Sequence, residues 1–232
     1  FNGNISNWDV SKVENFGQMF EESAFNQPIG NWNISGGWNF FKMFRETNFN
    51  QNLSNWKFGS SPGISLALMF DRAGVFNNGG VSLQWCTQNV ENMYGLFFRA
   101  YQFNQDISSM DTSGATNMNY MFKFANNFNQ DISNWCVQNI AVKPTEFAHN
   151  TPAAFRLNPA MQPNWGQACS GAQPIVISIS NETRTYLDPN FTVSANSNNG
   201  AIPIVYSIAD TSIATIDGSS GEITILKPGI TT

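Results

Sequence analysis

The stretch MFKFANNFNQDISNW, residues 121–135, carries the landmarks of the repeat that decides the fold. Its dipeptide Phe-Asn recurs at intervals of 24, 24, 27, 27 and 25 residues, beginning at Phe1, Phe25, Phe49, Phe76, Phe103 and Phe128. A hydrophobic pair precedes the next Phe-Asn in the same register: Met19-Phe20, Met43-Phe44, Met69-Phe70, Leu96-Phe97 and Met121-Phe122, with Glu146-Phe147 in the sixth copy. Such a period predicts a solenoid, because a single coil cannot bury its own aromatic side chains.

Apolar spacing within each copy predicts one short helix and one short strand per coil. Val13, Phe16 and Phe20 fall near one helical face, with Ser11 and Glu14 spaced as a capping box. The Phe-Asn-Gln-x-Ile segment has strand-like spacing. The predicted fold class is therefore an α/β solenoid, similar to a leucine-rich repeat, of six coils of about 25 residues. It spans residues 1–172, and a C-terminal cap at about 136–170 covers the last coil with Phe147, Phe155, Leu157 and Trp165.

The asparagine of each Phe-Asn dipeptide occupies one register, so stacking would place these residues in a column: Asn2, Asn26, Asn50, Asn77, Asn104 and Asn129. An amide side chain has donors and an acceptor for the open backbone groups of a turn. We expect a structural ladder, and a ligand-binding ladder is the alternative.

Composition excludes several classes of protein. Charged residues make up 12% of the chain, aromatic residues 14%, and the net charge is −5 with a pI near 4.8. An acidic balance argues against nucleic acid as a partner. No apolar run approaches the ~20 residues of a spanning helix, so no direct membrane insertion is expected in this chain. The chain begins at Phe1 without a leader sequence, and we expect it to be a fragment.

The combined pattern M-F-x-x-A-x-x-F-N-Q-x-I-x-N-W-x-x-S-x-V-x-N-M resembles the BspA-like leucine-rich-repeat surface proteins of bacteria. The resemblance covers residues 1 to about 170. It implies a right-handed solenoid on a secreted protein that is extracellular or displayed on the bacterial cell surface. It also implies adhesion to host matrix proteins or to other cells.

The cysteines are interpreted partly from this resemblance. The segment NWC…PNWGQAC is similar to the closing segment of the family, which implies a disulfide between Cys136 and Cys169. Cys86 lies two coils from Cys136, about 10 Å at ~5 Å per stacked strand, which is too far for a bridge. We therefore predict a buried free thiol there. With no CxxC pair and one histidine, His149, no metal and no cofactor are expected.

The sequence of residues 173–232 predicts a second domain, an all-β sandwich. Short β-branched strands are expected at 175–180, 184–187, 191–196, 202–209, 213–217 and 222–227, with a hairpin turn at 217–221. The run YSIADTSIATIDGSSGEITILKPGITT is similar to bacterial immunoglobulin-like domains, which act as spacers in surface adhesins. We expect this domain to be incomplete at its C-terminus. Three explanations stay open: unrecorded sequence, a clipped chain, or a strand supplied by another chain.

The function expected from these patterns is non-catalytic surface adhesion or recognition, with the second domain as a stalk. The partner is an extracellular protein or glycan, contacted at residues that interrupt the repeat: Trp38, Lys57, Tyr94 and Tyr101. Insertions in the third and fourth copies are expected to bulge outward. The alternative is a fibre subunit that binds copies of itself through strand addition or solenoid stacking. A third hypothesis is the accessory part of a hydrolase, although the chain carries no catalytic motif. Candidate glycosylation sequons begin at Asn4, Asn33, Asn52, Asn181 and Asn190.

Overall fold

A computed structural model of the chain describes residues 1–61 and 63–167, together with the backbone of three strands further on. The chain divides into two compact units, Phe1–Ser170 and Gly171–Thr232. In the first unit, six coils stack in parallel.

Backbone hydrogen bonds join each coil to the next at residues 23–29 positions apart. In the first coil the N–H groups of alternate residues donate to the second coil at 2.8–3.0 Å; these donors are Phe16, Gln18, Phe20 and Glu22. The residues between them, Met19, Glu21 and Ser23, donate to the carbonyl three positions earlier. The segment is therefore a run of overlapping tight turns whose alternate amides tie it to the neighbouring coil.

The helix predicted in each coil is wrong. In the described residues the α-helical assignment falls on α1, Ala153–Arg156, in the cap, and short 3-10 helices occur at Asn78–Gly80 and Pro159–Met161. Gln18 and Glu22 have φ of 59° and 55°, and the equivalent residues of the following coils are also left-handed. A right-handed helix cannot contain a left-handed residue at every fourth position. The capping box is also wrong, since Ser11 N–H donates to Asp9 Oδ1.

Strand pairing occurs elsewhere than predicted. Strands β1, Ile64–Ser65, and β2, Val90–Asn92, are parallel and lie where the chain enters the turns. Isolated bridges continue this line from Asn15 to Asn39 and from Asn92 to Asn117. The Phe-Asn-Gln-x-Ile segment is not a strand, and the N–H of its asparagine bonds to an asparagine side chain of the preceding coil instead of a backbone carbonyl.

Two columns of stacked phenylalanine rings form the centre of the core. In the first, successive ring centroids lie 5.8–6.3 Å apart with planes within 20°; its members are Phe1, Phe25, Phe49, Phe76, Phe103 and Phe128. The second is spaced at 5.5–5.8 Å and contains Phe20, Phe44, Phe70, Phe97 and Phe122. Within a coil the two rings stack at 3.7–4.1 Å. Each fully buried ring contributes about 1.5–3 kcal/mol.

Ring geometry changes at the C-terminal cap. Phe155 meets Phe128 edge-on at 4.9 Å and 87°, and Phe147 meets Phe122 at 89°. An edge-on ring leaves no parallel face for another coil, so the columns end here. Trp165 contacts Phe147 edge-on, whereas Leu157 is 66% exposed and does not cover the coil as predicted.

In the second unit the described backbone forms a three-stranded antiparallel sheet. Its strands are β3, Phe191–Thr192, β4, Ala214–Ile216, and β5, Glu222–Ile225, in the order β3-β5-β4. Strands β4 and β5 pair across residues 217–221, where the sequence predicts a hairpin. The strands predicted at 175–180, 184–187 and 202–209 lie outside the described residues. The immunoglobulin-like sandwich therefore stays a prediction.

Candidate functional site

The asparagine column forms a continuous ladder between coils. The Oδ1 of Asn2, Asn26, Asn50, Asn77 and Asn104 accepts the backbone N–H of the next asparagine at 2.7–3.0 Å, ending at Asn129. Gln27, Gln51 and Gln130 donate to the same oxygens. Because these acceptors are occupied by the scaffold, the geometry favours a structural role for the ladder.

A lateral surface, here called the turn face, is formed by the two residues that follow the Met-Phe pair in each coil. Backbone hydrogen bonds from one coil to the next fix its register: Glu21-Glu22, Arg45-Glu46, Asp71-Arg72, Phe98-Arg99, Lys123-Phe124 and His149-Asn150. In the sixth coil Phe122 N–H donates to the Phe147 carbonyl, so Phe147-Ala148, and not the predicted Glu146-Phe147, occupies the Met-Phe position. The chemistry of this register changes along the stack. It is charged in coils 1–3 and both aromatic and cationic in coils 4–5.

Arg45 is the centre of an ion-pair network in coils 1–3. Its guanidinium lies 2.8 Å from Glu21 and from Glu22, pairs with Glu46, and lies 3.2 Å from Asp71. Burial opposes the charge, but the hydrogen bonds that Arg45 donates to the carboxylates of Glu21 and Glu22 prevail and raise the pKa of Arg45. Most charged side chains of the turn face in coils 1–3 are thus paired with one another.

Asp71 is the most buried member of the network, at 4% exposure. Its Oδ2 accepts from Arg45, but no described residue donates to its Oδ1. Burial raises the pKa of Asp71, against the attraction of Arg72 and Arg45.

Coils 4 and 5 carry what we call the aromatic–cation patch: Tyr94, Phe98, Arg99, Tyr120, Lys123 and Phe124, all of them half-buried. The Arg99 guanidinium lies 4.8 Å from the Phe98 ring centroid, and 5.5 Å from that of Phe124. Lys123 Nζ lies 5.2 Å from the Tyr120 ring. These distances are within the range of cation–π attraction, so the patch is internally ordered while its rings stay partly open to solvent.

The edge of the patch adjoins other side chains. Tyr94 and Tyr120 meet edge-on at 5.4 Å. Lys123 also forms an ion pair with Glu146, and the exposed His149 ring lies edge-on to Phe124.

A groove opens between coil 5 and the cap. Its volume is about 240 Å³, and it is lined by residues 116–119 and 139–145. The lining combines amides and hydroxyls with Met118, Ile140 and Pro144, and holds one cation, Lys143. Burial lowers the pKa of Lys143, with a further contribution from Arg156.

The four predicted contact residues are not brought together. Trp38 and Tyr101 are 45% and 44% exposed, but they occupy different registers of the coil. Lys57 is exposed and lies near Cys86. Of the four, Tyr94 is the member of the patch. The sequence analysis missed Phe98, Tyr120 and Phe124. The sequence feature that could have identified this region is the change from Glu21-Glu22 in coil 1 to Phe98-Arg99 at the same register of coil 4.

In the insertion of the fourth copy, Asn78 turns inward, whereas Gly79, Gly80 and Val81 are exposed. Asn78 is fully buried, and its Oδ1 accepts Leu53 N–H at 2.7 Å. Its Nδ2 donates to Ser54 Oγ and to the Val81 carbonyl. Asn78 therefore supplies the hydrogen bonds between two coils, while the three residues that follow it lie at the surface.

The sequon asparagines Asn4, Asn33 and Asn52 are exposed, and each Oδ1 accepts an N–H two residues later. Such local bonds are typical of Asx turns. Asn181 and Asn190 lie outside the described residues, so glycosylation stays a prediction for all five.

The cysteines are placed only in part. Cys86 is a free cysteine that is half-buried, not buried as predicted, and burial raises the pKa of its thiol. Cys136 is 4% exposed, but Cys169 lies outside the described residues, so their disulfide stays a prediction. Within residues 1–61 and 63–167, no three His, Cys, Asp or Glu side chains are grouped to hold a metal ion. No helix in the described part of the chain is long and apolar enough to cross a bilayer.

Taken together, the described coils define a parallel solenoid of tight turns that bears an ordered aromatic–cation patch on one side. A family model described as "Mycoplasma protein of unknown function, DUF285" matches residues 1–82 and 64–158. The chain belongs to this family, since the matches cover well over half of it. No curated protein and no solved structure matches the chain.

Proposed function

We propose that this chain is a non-catalytic recognition protein of the bacterial cell surface, which binds an extracellular protein or glycan through the aromatic–cation patch. The observation that carries the proposal is the change at the turn-face register from a self-neutralised network around Arg45 to open rings around Arg99 and Lys123. The family match is consistent with a surface protein.

The composition of the patch suits a binding surface. Tyr and Arg are enriched among residues that dominate binding energy, because they combine a large apolar area with a polar group. Lys123 and Arg99 are held over rings, so little side-chain entropy remains to be lost when a ligand arrives. The patch also concentrates cations in a chain of net charge −5, which favours an acidic or polar partner there.

The scaffold separates the patch from the core. Apart from Phe1, the phenylalanine columns are buried, while the turn-face residues lie outside them and differ between coils. Such a division allows exposed side chains to vary without loss of stability. Residues 173–232 are proposed to act as an immunoglobulin-like stalk.

The alternative function, a fibre subunit, is supported by exposed aromatic rings at the N-terminal end of the stack. Phe1 and Trp8 are 68% and 61% exposed, and could accept another coil. However, Phe155 and Phe147 cover coil 6 edge-on, and stacking copies head to tail requires two open ends. Fibre formation by strand addition concerns residues outside the described part of the chain.

The proposal is tested by binding of the purified chain to immobilised matrix proteins and to a glycan array. The patch variant is Tyr94→Ala, and its matched control is Phe41→Ala, because Phe41 occupies the same register two coils away. We expect at least a roughly tenfold loss for Tyr94→Ala and less than about twofold for Phe41→Ala. Equal binding by the unaltered chain, Tyr94→Ala and Phe41→Ala would contradict the proposal that the patch binds the ligand. Concentration-dependent polymers in light scattering, without ligand binding, would favour the fibre.

A further inference from the structure

The guanidinium of Arg99 has no acidic partner, unlike the arginines of the two preceding coils. Arg45 is bonded to four carboxylates. Arg72, at the register of Arg99 one coil earlier, pairs with Glu46 and lies 3.9 Å from Asp71 Oδ1. In the part of the chain that the structure describes, no carboxylate lies within ion-pair distance of Arg99 and no oxygen accepts from its side chain. The charge of Arg99 is therefore not neutralised by the scaffold.

Two phenylalanine rings hold this unpaired cation in place. The Arg99 guanidinium lies 4.8 Å from the Phe98 centroid and 5.5 Å from that of Phe124. Lys123 Nζ lies 5.9 and 5.4 Å from the same two centroids, but it is paired with Glu146. The two cations thus share two rings, and the one left without an anion is Arg99.

The guanidinium of Arg99 is prepared for a planar anion. Its N–H groups form a rigid fork in the plane of the group, so contact with ring faces leaves the donors available to an acceptor. Arg99 is half-buried, which leaves part of its side chain open to solvent. A carboxylate accepts two parallel hydrogen bonds from such a fork, and the ring contacts reduce the side-chain entropy that binding would cost.

The surroundings of Arg99 favour a carboxylate that belongs to a protein. Phe98 and Phe124 are apolar rings, and they suit apolar side chains on either side of a Glu or Asp residue. A sugar acid would also need partners for its hydroxyl groups, and these two rings supply none. The chain has a net charge of −5, so an acidic segment is oriented toward this unpaired cation and away from the rest of the surface.

We propose that Arg99 determines the specificity of the aromatic–cation patch by binding, through both arms of its guanidinium, a Glu or Asp carboxylate that is flanked by apolar side chains in a protein partner. The inference rests on the proposed recognition function and names the chemistry of its partner.

The first test measures this contact directly on the whole 232-residue chain, prepared with isotope-labelled arginine. The probes are the peptides acetyl-Gly-Phe-Glu-Phe-Gly-amide and acetyl-Gly-Phe-Gln-Phe-Gly-amide. We expect the Glu peptide to shift the Arg99 Nε–H resonance in NMR titrations and to bind at least about fivefold more tightly than the Gln peptide. Arg99→Gln should bring the two affinities within about twofold of each other. The matched control, Arg72→Gln, should preserve the preference for Glu, because Arg72 is already paired with Glu46.

Arg99→Lys separates the fork from the charge. Lysine retains the positive charge but cannot make the bidentate contact, so most of the preference for the Glu peptide should be lost. Both substitutes fit the left-handed backbone of this turn, since Gln18 and Lys42 have φ of 59° and 55° in other coils. Thermal unfolding followed by tryptophan fluorescence checks that each variant is folded. Full preference in Arg99→Lys would overturn the bidentate contact, and equal affinity of the unaltered chain for both peptides would overturn the carboxylate.

A second test separates this inference from the proposed function. The unaltered chain and Arg99→Gln are compared on immobilised matrix proteins before and after the carboxylates of those proteins are amidated with glycinamide. We expect amidation and Arg99→Gln each to weaken binding at least about tenfold. Binding that withstands both changes but is lost in Tyr94→Ala would overturn the role of Arg99 and preserve the patch. Peptide binding at Arg99 without binding to any matrix protein or glycan would preserve the carboxylate site and overturn the proposed function. Preference for uronic-acid glycans over the Glu peptide would overturn the protein source of the carboxylate.

Discussion

The side-chain oxygen of Asn50 accepts a 2.7 Å hydrogen bond from the backbone N–H of Asn77, which lies 27 positions later in the chain. The same oxygen accepts from Gly79 N–H at 3.1 Å. One side-chain atom thus replaces the backbone carbonyl that a strand would provide, and it does so for two amides. Its removal should expose how much the ladder contributes to stability.

We predict that Asn50→Ala lowers the free energy of unfolding by about 1–3 kcal/mol, because two amides lose their acceptor. Asn50→Asp retains an acceptor oxygen and should lose clearly less. The measurement is urea denaturation followed by tryptophan fluorescence, since the seven tryptophans all lie between residues 8 and 165. Equal losses for Ala and Asp would show that shape, not hydrogen bonding, is what Asn50 contributes.

The register of the coils could be predicted from sequence, because identical spacing places identical residues above one another. The columns of Phe25, Phe49 and Phe76 follow from that arithmetic. The backbone within each coil could not be predicted. Spacings of three and four between Phe16, Met19 and Phe20 fit a helix, but they fit a run of left- and right-handed turns equally well. What decides between them is bonding to the next coil, which no local pattern contains.

Gly114 should be intolerant of any side chain. A Cβ there would lie 2.2 Å from the carbonyl oxygen of Gln88 in the neighbouring coil, which is backbone and cannot move aside. We predict that Gly114→Ala costs about 3 kcal/mol or more in denaturation experiments.

Gly95 is the comparison, since its Cβ would meet the flexible side chain of Leu68 at 2.6 Å and its φ is +56°. Gly95→Ala should cost about 1–2 kcal/mol, chiefly for the left-handed backbone. Combining it with Leu68→Ala should recover the part that is due to the clash. If Gly114→Ala is no less stable to denaturation than Gly95→Ala, the coil of Gly114 does not approach the Gln88 carbonyl as closely as described.

The candidate site was less predictable than the scaffold. Tyr94 was identified because it interrupts the repeat, whereas the sequence pattern did not single out Phe98 or Phe124. Only the turn geometry shows that these two rings lie outside the core. The groove depends on how residues 116–119 and 139–145 pack against each other, a tertiary feature that sequence spacing does not reveal.

Asp71 and Glu21 should give the stability of the first unit opposite pH dependences. Burial raises the pKa of Asp71, so the folded chain binds its proton more tightly than the unfolded chain, and this carboxyl's contribution falls as pH rises from about 3.8 through the higher folded pKa. For Glu21, burial is outweighed by hydrogen bonds from Gln18 and Arg45, which lower the pKa below 4.5; its contribution is lost as pH falls through that lower value.

The variants Asp71→Asn and Glu21→Gln remove these titrations one at a time. From pH 3 upward through pH 6, the stability of Asp71→Asn relative to the unaltered chain should increase. That of Glu21→Gln should decrease over the lower part of the same range. Denaturation curves at each pH measure both differences, and two differences of the same sign would refute the buried, raised-pKa assignment of Asp71.

Phe155 should contribute more to the stability of the solenoid than any other cap residue tested. It is fully buried, meets Phe128 edge-on at 4.9 Å and also contacts Phe122, so its loss opens the end of both ring columns. We predict that Phe155→Ala lowers the free energy of unfolding by about 3–5 kcal/mol. Leu157→Ala, two residues away and largely exposed, should change it by less than about 0.5 kcal/mol. Because Phe155→Ala exposes ring faces that match those of coil 1, the variant should also self-associate at high concentration in light scattering, whereas the unaltered chain and Leu157→Ala should not. A stable, monomeric Phe155→Ala chain would mean that the columns do not need an edge-on ring to end.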